Sequence, residues 1–137
     1  MTNLNNDEDG SLVTILKTFT LRTGYIQLRS DGIIYVKIND DVEVDLPDSK
    51  EHYEIVKSIF KGNPGYVITE SGVNSTVTKE VREFVNSIPP ITKAEAIVVN
   101  SLAQRIISNF IIKFHAPGRK IKVFNNLNDA VEWIKKQ

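Results

Sequence analysis

The chain has no cysteine, one methionine, one tryptophan and two histidines in 137 residues, and each scarcity removes a class of chemistry. Without cysteine there is no disulfide scaffold, no Cys-ligated zinc or iron–sulfur centre and no thiol nucleophile. His52 and His115 lie far apart, and neither has a second histidine four residues away, so no His-rich metal motif is present. Long apolar runs are missing as well. Nothing approaches the ~20 residues of a membrane span, and the acidic opening MTNLNNDEDGS lacks the basic and apolar regions of a signal peptide. The expected location is the cytoplasm. Net charge gives no signal either, with 17 basic against 17 acidic side chains.

What remains is a core-forming composition, 41% hydrophobic and 25% charged, at a length that suits one domain. The expected organisation is an acidic, disordered tail over residues 1–11 and one globular domain over 12–137. The balanced charge is unevenly spread: residues 1–100 carry 10 basic and 15 acidic groups, residues 101–137 carry 7 and 2. In that basic C-terminal third, Arg105, Lys113, Arg119, Lys120, Lys122, Lys135 and Lys136 alternate with apolar positions, and no aromatic ladder accompanies them. A continuous basic face is needed for phosphate contacts, so no nucleic acid is expected as a partner.

Period-two alternation predicts strands over 12–21, 25–29 and 33–38. Arg22-Thr23-Gly24 and Asp31-Gly32 are the turns between them, the second read as a two-residue primed turn with positive φ at both positions. A short extended piece at 42–45 leads to Leu46-Pro47, where proline fits the first turn of a helix running to about Lys61 and closed by Gly62. Residues 66–69 read as a buried strand and 70–77 as a hydroxyl-rich loop. Thr78 is the expected N-cap of a second helix, which Pro89-Pro90 stops. AEAIVV at 94–99 reads as a strand buried on both faces. In the helix that follows, positions 102, 103, 106, 107, 110, 111 and 114 form one apolar stripe, expected to face inward, and Pro117-Gly118 ends it. A strand at 121–124 and a helix capped by Asn126 complete the chain. Strands and helices alternate from residue 42 onward, which predicts an α/β fold: an N-terminal antiparallel hairpin, a mixed five- or six-stranded sheet and about four helices.

The DGIIYV hairpin, the VEVDLPD lead into the first helix, YVITESGVNSTVTKEVREF, AIVVNSLAQRIISNFIIKF and the KVFNNLNDAVEWIKK ending together resemble the SpoIIAA-like domains. That fold is shared by STAS regulatory domains and by lipid-binding SEC14-type modules, and the resemblance covers residues 25–136. In STAS antagonists of anti-sigma factors, the loop before a helix carries a phosphorylated serine or threonine. The matching segment here offers Ser71, Ser75, Thr76 and Thr78, without the Asp-Ser-Ser-Gly context. The resemblance therefore implies a non-enzymatic regulatory or protein-interaction module acting through this loop. The SEC14 relatives imply the alternative, a small carrier or sensor of an apolar ligand, with the helix bearing Ile106, Ile107, Phe110, Ile111 and Phe114 swinging off the sheet.

Other candidates have plainer readings. Thr78 serves as a cap, and hydroxyls in a loop serve solvation and turns. His52 falls on the apolar stripe of the first helix and His115 at the end of the third, where packing and capping account for them. Asp40, Asp41, Glu43, Asp45, Asp48, Glu51 and Glu54 crowd the first helix without EF-hand spacing and read as a solvated acidic face. Glycines 62, 65 and 72 match no phosphate-binding motif, and neither a GxSxG elbow nor HExxH occurs. No catalytic group, cofactor or metal is implied. Ile112 falls on the polar side of the third helix; beside Trp133 or Tyr53 it would make an association surface with Ile107, Phe110, Ile111 and Phe114. A homodimer through that face or through the hairpin edge, or an unidentified protein partner, is the expected assembly.

Overall fold

The computed structural model describes residues 12–113 and 119–137, with only the backbone of Phe110, Ile111 and Lys113. The expected acidic tail, Phe114, His115 and Pro117-Gly118 lie outside the described residues, as do the side chains of Phe110 and Ile111. Twelve elements follow one another: β1 Ile15–Leu21, β2 Gly24–Arg29, β3 Ile34–Ile38, β4 Glu43–Val44, α1 Leu46–Phe60, β5 Gly65–Glu70, β6 Thr76–Val77, α2 Lys79–Ser87, β7 Thr92–Val98, α3 Leu102–Lys113, β8 Ile121–Phe124 and α4 Leu127–Lys135.

The strands form a six-stranded sheet ordered β1-β2-β3-β5-β7-β8. The β1–β2 and β2–β3 pairs are antiparallel, and β3–β5, β5–β7 and β7–β8 are parallel. A helix intervenes at every parallel step, as a crossover of a dozen or more residues requires. This is the predicted mixed α/β sheet, with four helices.

Alternation along the central strands divides the interior in two. Tyr35 of β3, with Ile33 just before the strand, joins Ile68, Ala94, Ala96 and Val98 beneath Ala130, Val131 and Ile134 of α4. The two alanines have almost no side chain and let α4 approach closely. The other parity, Ile34, Val36 and Ile38, packs with Ile26, Val44 and Val67 against Val56 of α1 and Val81 of α2. At the α1 N-terminus, Asp45 accepts from the Asp48 N–H at 3.2 Å while Asp48 accepts from the Asp45 N–H at 3.0 Å. This capping box employs part of the acidic run.

Local differences from the sequence reading have identifiable causes. The register of β1 shifts between Ile15 and Lys17, leaving Leu16 exposed, so strict alternation from Leu12 does not hold. At Asp31-Gly32 only Gly32 has positive φ, +83°. The Arg29 N–H donates to Ile33 O and the Gly32 N–H to Arg29 O, both at 3.0 Å. The turn is therefore one residue wider than a primed turn, with a single left-handed position. Helix α1 closes on two successive left-handed residues, Lys61 at φ 49° and the expected Gly62 at φ 85°. Within the expected loop 70–77, Thr76 and Val77 pair with Glu43 and Val44 as a second, two-stranded parallel sheet.

Candidate functional site

A cleft of about 420 Å³ opens on the α1/α2 face of the sheet, under α3. Its floor is Thr69, Ile97 and Ile121; α3 supplies Gln104, Ile107, Ser108 and Ile112, and α2 supplies Val81, Arg82 and Val85. Ser71, Ser75, Thr76 and Val77 close one side. Three of the four loop hydroxyls and two of the five α3-region candidates thus meet at one cavity.

The cavity exists because α3 is not laid down as its stripe predicts. Leu102, Ile106 and Ile107 remain 72%, 60% and 57% exposed, while the positions turned to the cleft, 104, 107, 108 and 112, include a glutamine and a serine. Hydrogen bonds fix this roll. Gln104 Nε2 donates to Gly72 O and its Oε1 accepts from the Asn100 N–H, both at 2.9 Å. Asn100 Nδ2 also donates to Ser71 O, and Arg105 Nη1 to Asn125 Oδ1 at 2.7 Å. Two expectations are corrected as a result. β7 is not buried on both faces: Ala94, Ala96 and Val98 are buried under α4, whereas Glu95 and Ile97 look into the cleft. Ile112 does not lie on an outer polar face but lines the cavity with Ser108, while Trp133 packs at a tilt on Phe124 and Tyr53 on Phe84.

The loop hydroxyls divide by role. Thr78 Oγ1 accepts from the Val81 N–H at 3.3 Å and caps α2. Thr78→Ala should therefore cost about 1 kcal/mol, read as a lower urea midpoint; an unchanged midpoint would deny the cap. Ser75 Oγ donates to Gly72 O at 2.9 Å, and the Ser71 N–H to Val98 O at 2.9 Å. The segment from Ser71 to Thr76 is thereby a built wall of the cleft.

Charged groups line the same space. Each Arg119 nitrogen has an acceptor: Nε and Nη2 donate to Glu95 Oε2 at 3.3 and 3.2 Å, and Nη1 to Val85 O at 2.8 Å. Arg82 Nη1 donates to Val77 O at 3.1 Å. The His52 ring meets Thr23 Oγ1 through Nε2 at 2.9 Å, and burial pushes its pKa below the ordinary value against the opposing charges of Asp48 and Glu51. Nearby, the hydrogen bond from Arg22 holds the Asp48 carboxyl far below the usual range.

The His52 shift has a sign that can be checked. Because the unfolded chain binds the proton more readily, the stability is present above the unfolded pKa of about 6.5 and is lost as pH falls through that value toward the folded one. The urea midpoint should drop between pH 7.5 and 5.5, and His52→Gln should flatten the drop. Equal pH slopes in both proteins would contradict this.

The family model described as Domain of unknown function (DUF7793) matches residues 26–137. The chain belongs to this family. The DUF7793 chain is also similar to a crystal structure of an uncharacterised protein of the DUF3478 family from Shewanella loihica PV-4, which has a SpoIIAA-like fold. The TM-score is 0.53 over 98% of each chain, at 13% sequence identity. The DUF7793 chain thus has the SpoIIAA-like architecture that its sequence resembles. No curated protein matches it, and among the described residues no helix is long and apolar enough to cross a membrane.

Sequence reading missed Arg82, Glu95, Ile97 and Arg119 as parts of one site. The available signal was Glu95, a charge inside an otherwise apolar strand that must have a partner or a cavity if it is to leave water.

Proposed function

We propose that this chain is a non-enzymatic, cytoplasmic regulatory module of the STAS-like kind that takes a small, largely apolar ligand in the cleft beneath α3. It answers through a protein partner that reads the 70–78 loop and the outer face of α3. The observation that carries this reading is the shared wall: Gln104 of α3 is hydrogen-bonded to Gly72 of the loop. A molecule that shifts α3 therefore acts directly on the segment bearing Ser71, Ser75 and Thr76.

Three further features support it. The cavity lies within the ~300–1,000 Å³ of ligand sites and has an apolar middle with polar groups around it. Leu102 and Ile106 expose apolar surface on the outer side of the same helix. Arg119 is committed to Glu95, and His52 to Thr23, which favours binding over acid–base chemistry.

Native mass spectrometry of the purified full chain, before and after denaturing extraction, tests the ligand. The expected result is a bound mass that denaturation removes and that Ser108→Phe, which fills the cleft from α3, abolishes without changing the fold. A ligand-free mass would contradict the ligand half of the proposal. Pull-downs with Ser71, Ser75 and Thr76 changed to alanine test the partner half, and the same capture by both proteins would contradict it. Sedimentation at two concentrations reads the homodimer, for which the outer face of α3 replaces the face around Ile112.

A further inference from the structure

We propose that the ligand is a single-chain amphiphile with an anionic head, that Arg82 receives the head, and that the chain lies along Ile97, Ile107, Ile112 and Ile121. This rests on the reading that the cleft binds a ligand, and it adds which chemical class enters and in which direction. Volume gives the first argument. At about 420 Å³ the cavity is near the small end of ligand sites, enough for one short acyl chain and too little for a two-chain lipid.

Charge gives the second. Glu95 and Arg119 pair directly at 3.2 Å at one end of the cleft, and all three Arg119 nitrogens already have acceptors. Burial favours the neutral form of His52. Arg82 remains: it gives one hydrogen bond, to Val77 O, and pairs with no carboxylate among the described residues. A guanidinium lining an otherwise neutral, largely apolar cleft favours an anion, disfavours a cation, and offers a planar carboxylate two parallel N–H donors.

Direction gives the third. Arg82 sits in the first turn of α2, next to the loop that brings Ser75 and Thr76 to the cleft wall. The Thr76 hydroxyl can donate to a carboxylate head there, whereas the Ser75 O–H is held by Gly72 O. Val85, Ile112 and Ile121 lie toward the opposite end, where Arg119 joins Val85 O to Glu95 and where β7 pairs with the start of β8. At that end the charges of Glu95 and Arg119 are spent on each other, whereas the loop end carries the guanidinium that has no carboxylate partner among the described residues, so the head lies beside the segment through which the proposed signal passes.

Calorimetric titration of the full chain with decanoate, 1-decanol and decyltrimethylammonium tests the assignment. Decanoate should bind about tenfold more tightly than decanol, the worth of one charge-assisted hydrogen-bonded contact, and the cation most weakly. Arg82→Gln should bring decanoate and decanol affinities close together, Arg82→Lys should restore part of the decanoate preference, and added salt should narrow it. Equal binding of decanoate and decanol, unaltered by Arg82→Gln, would overturn the anionic head while leaving the cleft a ligand site. No binding of any probe, or binding that survives Ser108→Phe, would overturn the cleft reading itself. Matching melting temperatures show that the variants are folded.

Discussion

Asp31→Ala is expected to lower stability by about 3–5 kcal/mol, the usual cost of stranding one member of a buried ion pair. Arg29 has no exposed surface, and its charge is met by Asp31: Nε donates to Oδ1 at 3.0 Å and Nη2 to Oδ2 at 2.6 Å. Asp31 also accepts from the Ile33 N–H at 3.2 Å, so one carboxylate holds both the guanidinium and the wide turn between β2 and β3. Arg29 Nη1 has no acceptor among the described residues, which makes the pair a costly arrangement even when intact. Arg29→Met should therefore be much milder, within about 1–2 kcal/mol. It removes the buried charge, fills the space, and leaves Asp31 near Lys135 Nζ at 4.0 Å. Urea titrations of the two variants decide the matter; a larger loss for Arg29→Met would contradict this account of the site.

Gly72→Ala is expected to cost about 3 kcal/mol and to weaken ligand binding together with stability. A Cβ at this position would lie 2.2 Å from Asn39 O and 2.6 Å from Asp40 N. Those atoms are backbone, and the turn that holds them is tied to the same loop: Val73 N–H donates to Asp40 Oδ1, and Asp41 N–H to Val73 O, both at 2.8 Å. The loop must move, and its movement displaces the acceptor of Gln104. Gly32→Ala is the matching control. Its φ is +83° but a Cβ there meets nothing within 4 Å, so only the left-handed penalty of about 1–2 kcal/mol applies. Thermal melts and decanoate titrations of both should show loss of stability in each and loss of binding only for Gly72→Ala. Unimpaired binding by Gly72→Ala would deny that the loop and the cleft wall act together.

The sheet was legible because its signals are local and strong. Alternation in Ile33–Ile38, Pro47 in the first turn of α1, and Thr78 before Val81 each specify their element from a few neighbouring residues, whereas Asp45 and Asp48, read as part of a solvated acidic face, form a capping box with Asp48 buried. The cleft was not, and α3 shows why. Its apolar stripe is real in the sequence, but hydrophobic periodicity gives only which residues share a face. The direction of that face is set by bonds to distant segments, Gln104 to Gly72 and Arg105 to Asn125. For the same reason AEAIVV read as doubly buried: whether a helix covers the second face of a strand depends on how that helix is rolled. Ser71, Ser75 and Thr76 were legible as a candidate loop; that they share a cavity with Ile107 and Ile112 follows only from the fold.

The most direct test of the cleft is an isoleucine-methyl NMR titration of the full chain with decanoate. Methyl signals of Ile97, Ile107, Ile112 and Ile121 should shift together and saturate, while Ile26 and Ile34, enclosed in the core, and Ile106, on the outer side of α3, stay in place. Shifts concentrated at Ile106 with the cleft isoleucines unmoved would mean adsorption to the exposed helix face, and would contradict the cleft as the ligand site.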